Sequence, residues 1–253
     1  MTADRPARRG LVAPTIAAVC AFALLIGLGT WQVKRLAWKE ALIATVSARF
    51  AAPPSPLPPS SEWARLNPDS NEFQRVSFTG EFLNDKEALV FTTGSTMRGE
   101  SGPGYWIFTP ARFSGGTVMV NRGFVPDGRQ NPATRPQGEI AGPVQIVGIM
   151  RWPERAGMFT PGAEPAKNLW FSRDSTAIAA AKGLGPVAPF YVEQEAPSAP
   201  GGLPHVGALT PSFPNNHLGY AFTWYGLAAV LVGVFGVWFA GRWRPRGETS
   251  TQT

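Results

Sequence analysis

The chain has 253 residues, a formal net charge of +6 and a mean hydropathy of -0.06, the average of an ordinary soluble protein. Its 28 Gly and 25 Pro are too much punctuation for a helical bundle or a long coiled coil, and no glycine period of three marks a collagen. A single cysteine excludes a disulfide framework, a thiolate zinc site and any Cys-x-x-Cys chemistry.

The first element hides beneath that average. No charged residue occurs from Gly10 to Val33, and Leu11 to Thr30 is mostly apolar. At about 1.5 Å per residue such a helix crosses roughly 30 Å of hydrocarbon. The preceding Arg5, Arg8 and Arg9 would also suit a signal peptide. However, no small-residue cleavage site ends the stretch, and Ala17-Ala18-Val19 before Cys20 is a poor lipoprotein processing site. The reading is an uncleaved transmembrane helix over 11–33. Beyond it, Val33, Leu36, Leu42, Ile43, Val46 and Phe50 recur at helical spacing, which predicts an amphipathic helix over Lys34 to Phe50. Ala51 to Ser60 holds five Pro and reads as a stiff, extended linker.

Strand signals follow in close order. Val76, Phe78 and Phe82 alternate with Arg75, Ser77, Thr79 and Glu81. Further apolar runs are Ala88 to Thr92, Tyr105 to Pro110, Thr117 to Val125, Val144 to Trp152 and Pro189 to Glu193. Gly-rich stretches at Gly99 to Gly104 and Ser114 to Gly116 read as turns between them. A short helix is expected over Ser175 to Lys182, with Asp174 as its cap and Gly183 at its end. A second charge-free run, Ala196 to Gly241, contains an apolar helix over 218–240, and residues 241–253 follow as a tail. The fold class is therefore α+β: two transmembrane helices flanking one β-rich domain, 34–217, with few short helices.

Flanking charge sets the expected orientation. Residues 1–10 and the C-terminal tail each carry a net +2, which places both in the cytoplasm by the positive-inside rule. The 184 residues from Lys34 to His217 then lie outside, and they contain no cysteine. Most of the +6 is thus an orientation signal rather than a nucleic-acid-binding patch.

Conventional catalytic motifs are missing. The sequence has no Gly-x-Ser-x-Gly elbow, no Walker phosphate loop and no histidine cluster. Gly99, Gly102 and Gly104 are not followed by a helix start, so a turn fits better than a phosphate loop. Only two histidines are present, and neither sits beside a recognisable nucleophile. His205 falls in a Pro- and Gly-rich loop. His217 opens the second apolar helix, after Asn215 and Asn216, either of which suits an N-cap. The positive end of a helix dipole disfavours imidazolium, and a neutral ring is what a metal takes as ligand. An interfacial anchor or a capping histidine is the other reading.

Helical geometry adds a packing expectation. At about 100° per residue, Ala221, Trp224, Ala228 and Phe235 share the face of His217, and Gly219, Gly226 and Gly233 lie roughly opposite. Those glycines suit close contact with Ala13, Ala17 and Ala21 of the first helix. If the two stripes meet, His217 faces away from the first helix.

Leu28-Gly29-Thr30-Trp31-Gln32, with Arg35, Lys39 and Leu42-Ile43, resembles the opening signature of the Surfeit locus protein one family. So does Phe73-Gln74-Arg75-Val76 with Thr79-Gly80-Glu81-Phe82. Val120-Asn121-Arg122-Gly123-Phe124-Val125-Pro126 is similar to its central motif. Asn215 to Ala221 with Thr223-Trp224-Tyr225 is similar to its closing one. Phe124 and Gln74 depart from the residues usual there. The resemblance implies a non-catalytic, membrane-anchored assembly factor for cytochrome c oxidase. It would carry haem a transiently and deliver it to oxidase subunit one. A haem-free scaffold for nascent oxidase subunits is the alternative. It also implies oxidase subunit one and haem a synthase as partners, together with membrane lipid and without nucleic acid. The place would be a bacterial inner membrane, with the main domain periplasmic. His217 falls on the family's candidate axial ligand of the haem iron. Trp31 and Trp224 would flank the ring, or else belong to the interfacial aromatic belt. Lys34 and Arg35 would pair with haem propionates, or else with lipid headgroups.

Overall fold

A computed structural model of the chain describes residues 9–93, 102–206 and 215–243. Gly99, Pro214 and most of the charged tail residues lie outside these. The chain divides into two compact units, Met1–Thr45 with Ser212–Thr253, and Val46–Pro211.

The first unit is built on two helices, α1 (Arg9–Ala51) and α4 (His217–Trp243). Both are long and apolar enough to cross a membrane. The apolar span and the amphipathic helix expected after it are one uninterrupted helix, because nothing between Val33 and Phe50 breaks it. Residues facing inward on α4 are His217, Ala221, Trp224, Ala228, Leu231, Phe235 and Trp238, alternately four and three apart. On α1 the matching set is Leu11, Pro14, Ala18, Ala21, Leu25, Leu28 and Gln32. This is the heptad spacing of an antiparallel helix pair. Gln32 meets His217 at one end, while Pro14, Ala18 and Ala21 share an open apolar cleft with Leu231, Phe235 and Trp238 towards the other.

The expected glycine seam is not the one used. Gly219, Gly226 and Gly233 are exposed, and a Cβ on any of them would meet nothing within 4 Å. Ala221 and Ala228 are buried instead. The His217 face alternates small and large side chains and offers more contact area than one glycine every two turns. His217 accordingly points towards α1 rather than away from it.

The second unit is a closed β-barrel. Its strands are β1 (Ser55–Pro56), β2 (Arg75–Phe82), β3 (Ala88–Thr92), β4 (Gly104–Phe113), β5 (Gly116–Pro126), β6 (Pro143–Arg151), β7 (Leu169–Trp170) and β8 (Tyr191–Ala196). β2, β6, β8, β5 and β4 form a ring, closed where Gly80 of β2 pairs with Phe113 of β4. All ring pairings are antiparallel except β5 with β8. β3 and then β7 extend from the first half of β4.

Each expected strand is present, with the alternation of Val76, Phe78 and Phe82 directed inward. The ring interior also takes Ala111, Val118, Val120, Ile146, Met150 and Val192, from all the other ring strands. Each large apolar side chain buried there contributes roughly 1.5–3 kcal/mol. A second cluster lies outside the ring. There, Phe108, Met119, Trp170 and Tyr191 receive Ile178 and Ala179 of α3 (Ser175–Ala181). Asp174 caps α3, accepting from the Ala177 N–H at 3.0 Å. A one-turn helix, α2 (Pro68–Asn71), was not expected from the sequence; Asn67 caps it by accepting from the Ser70 N–H. The Pro-rich linker wraps the barrel: β1 pairs with β2, and Leu57 enters the interior cluster.

Candidate functional site

The central motif of β5 is a bulge. Trp106 pairs with Phe124 and Phe108 with Asn121, so Arg122 and Gly123 together face a single residue of β4. The extra residue switches the side on which the following side chains fall. Val120 is in the ring interior, whereas Phe124 joins the outer cluster. Gly123 sits at φ 121°, and a Cβ there would lie 2.0 Å from the His205 carbonyl oxygen. Only glycine fits such a position. The Asn121 side chain steadies the turn by accepting from the Gly123 N–H at 3.1 Å. His205 closes it, with backbone hydrogen bonds in both directions to Phe124.

Arg122, only 1% exposed, lies over the Phe82 ring at 4.4 Å and donates to the Gly138 carbonyl and to Asn84 Oδ1. Burial holds its pKa below the ordinary arginine value, against the attraction of Glu139 and Glu87. Arg135, equally buried, bridges Glu87 and Glu139. These two arginines pin the segment around Pro132 to Gly138 to the barrel. A second network surrounds Tyr191. Arg151 reaches Glu72 and Glu193, while Arg173 reaches Glu154 and Glu193. Burial raises the pKa of both Tyr191 and Glu193. In both networks the cations face carboxylates, an arrangement that fastens loops rather than exposing a reactive group. Among the described residues no group of three or more His, Cys, Asp and Glu is placed to hold a metal.

The helix pair presents a different arrangement. Asn216 precedes α4, and its carbonyl accepts from the Tyr220 N–H at 3.2 Å, as an N-cap residue does. His217, half-buried, has Nδ1 2.7 Å from Gln32 Oε1. Gln32 is only 8% exposed, although it lies in a helix apolar enough to cross a membrane. An amide oxygen only accepts, so this contact takes its proton from Nδ1 and leaves Nε2 as the ring nitrogen without this partner. One turn away, the Thr30 hydroxyl lies 3.2 Å from the Tyr225 hydroxyl, and Gly29 packs against the Tyr225 ring. The motif Leu28–Gln32 and the motif from His217 to Tyr225 therefore grip each other.

Of the sequence-predicted site residues, His217 and Trp224 share this face. The half-buried Trp224 has an Nε1–H without a partner among the described residues. Trp31 is 56% exposed and lies about 100° around α1 from Gln32. Lys34 is exposed and lies about 160° away, on the far side of α1. Arg35 is exposed, with its guanidinium 4.0 Å over the Trp38 ring. Among the described residues, no hydrogen bond, ion pair or ring contact joins Trp31, Lys34 or Arg35 to His217. Gln32 and Tyr225 are the functional candidates that residue-by-residue reading left without a role. The available signal was Gln32 itself, a strongly polar side chain beside an apolar span.

Comparison with known proteins joins these motifs. Residues 19–229 match the SURF1 family. The chain is 36% identical to Surfeit locus protein 1 of Rattus norvegicus over 221 residues, covering 82% of this chain and 69% of that protein. It is 35% identical to a SURF1-like protein of Monosiga brevicollis over 218 residues, covering 83% and 81%. Against Surfeit locus protein 1 of Homo sapiens the figures are 34% over 216 residues, 80% and 70%. The matched stretch contains the gripping motifs of α1 and α4 and the bulge motif of β5, and the chain belongs to the SURF1 family.

Proposed function

We propose that the chain is a non-catalytic assembly factor for cytochrome c oxidase that binds haem a through His217 and hands it to oxidase subunit one. The supporting observation is the Gln32–His217 contact, which occupies one ring nitrogen and leaves the other for iron. The unpartnered Trp224 Nε1–H, about two turns along the same face, adds a donor and a flat apolar surface. Haem, when bound, would supply an iron centre that the His217 imidazole could ligate. The protein's own part is to hold that imidazole oriented, and to release the cargo, for which a single ligand suits better than two. Haem a synthase is the proposed donor of the cargo. The proposed setting is a bacterial inner membrane with the barrel on the periplasmic side and lipid around the helices. Arg35 is the better placed of the two basic residues for a propionate, since Lys34 lies on the far side of α1.

The test is the visible spectrum of the full chain purified from cells that make haem a, beside His217→Ala. The expected result is a haem a spectrum in the parent and its loss in the variant. A haem-free parent would sink the proposal.

One observation favours a second reading, a haem-free scaffold. Met158 and Phe159 are 92% and 94% exposed at the tip of a barrel loop. The turn is fixed by the Gly157 N–H donating to Thr160 Oγ1 at 2.9 Å. Two apolar side chains held out in this way suit contact with a nascent subunit.

A further inference from the structure

We infer that Gln32 is a positioning residue for His217, setting which imidazole nitrogen faces a ligand. This rests on the proposed reading in which His217 binds iron. A neutral imidazole exchanges between two tautomers of similar energy, and a free ring at a helix start would present either nitrogen. Gln32 removes that freedom. Its Oε1 stands 2.7 Å from Nδ1 and can only accept, so the proton is held there. Its own burial keeps water from replacing it. The surroundings fix Gln32 in turn. Gly29, three residues earlier on α1, lies against Tyr225, two turns beyond His217 on α4, and the Thr30 and Tyr225 hydroxyls are 3.2 Å apart. These contacts set the spacing of the two helices where the pair forms. The arrangement matches the outer partner that metal-bound histidines use to fix their tautomer and raise their basicity.

Two measurements separate this inference from the reading beneath it. The first uses haem-free full chain in lipid nanodiscs, with imidazole nitrogens labelled with nitrogen-15. The chain has only two histidines, so His217→Ala assigns the signals. The expected His217 pattern is the Nδ1–H tautomer in the parent and a mixture in Gln32→Leu. A parent in the Nε2–H form, or an unchanged pattern in Gln32→Leu, would overturn the inference whatever binds there. The second uses haem-loaded protein. Gln32→Leu should retain haem roughly tenfold less well. It should also lower the ferrous iron–histidine stretching frequency. Gln32→Glu, a stronger acceptor, should raise that frequency and make the reduction potential more negative. A residue that merely packs would not move the two variants in opposite directions, so equal frequencies in all three proteins overturn positioning. A parent without haem, together with the expected tautomer pattern, overturns the haem reading alone.

Discussion

Gly29 of α1 lies flat against the phenol ring of Tyr225 of α4: a Cβ on Gly29 would stand 2.6 Å from the ring's Cε1. The grip between the two family motifs depends on this missing carbon. Gly29→Leu must displace the ring or part the helices, at a cost of about 1–3 kcal/mol. The displacement stretches the Gln32–His217 hydrogen bond three positions further on. A cysteine cross-link engineered between the helix ends should therefore form less completely in Gly29→Leu than in the parent. Equal cross-linking would show that the contact does not set the helix spacing.

Gly123 makes a similar prediction for the barrel. Gly123→Ala brings both an unfavourable φ and a clash with the His205 carbonyl. The cost is about 3 kcal/mol, which lowers the Tm of a unit this size by roughly 6–12 °C. A thermal scan of the full chain checks it. An unchanged Tm would mean that the bulge relaxes freely.

The buried carboxyls predict a pH dependence. Burial raises the pKa of Glu87 and of Glu193 above the ordinary 4.5, outweighing the opposing pull of Arg135 on the first and of Arg151 and Arg173 on the second. The folded state thus holds these protons more tightly than the unfolded chain. Stability from this source is complete below pH 4.5 and declines as pH rises through the raised values. Glu87→Gln should lower the Tm throughout, because Arg135 loses a buried partner, and it should flatten that decline. A slope identical to the parent's would refute the assignment to Glu87.

The exposed loop tip separates the two functional readings. Replacing Met158 and Phe159 together with serine should leave stability within about 0.5 kcal/mol, since both side chains are almost wholly exposed. If the loop docks a nascent subunit, the yield of assembled oxidase falls while haem content holds. An unchanged yield removes the scaffold's one structural support.

Much of this architecture was legible in the chain. Alternation marked β2 because one face of that strand is buried, and Asp174 announced α3 through its free side-chain acceptor. The short strands β1 and β7 carried no pattern, since two residues make no period. Closure of the ring was equally silent. It depends on the Gly80–Phe113 pairing between strands that are not neighbours in sequence. At the site, His217 and Trp224 could be placed on one helical face by arithmetic. Which face met α1 could not, because small-residue stripes on both helices offered a rival seam. The partnership of Gln32 with His217 spans 185 residues and needed that seam to be known.

A ring also limits what the barrel can pair with. Strands with free margins invite other strands. Here the sheet ends on two strands of two residues each, β1 and β7. One of them finishes with Pro56, whose nitrogen has no hydrogen to donate. The barrel therefore offers strangers almost no backbone to zip against, and its contacts are left to side chains, which can be selective.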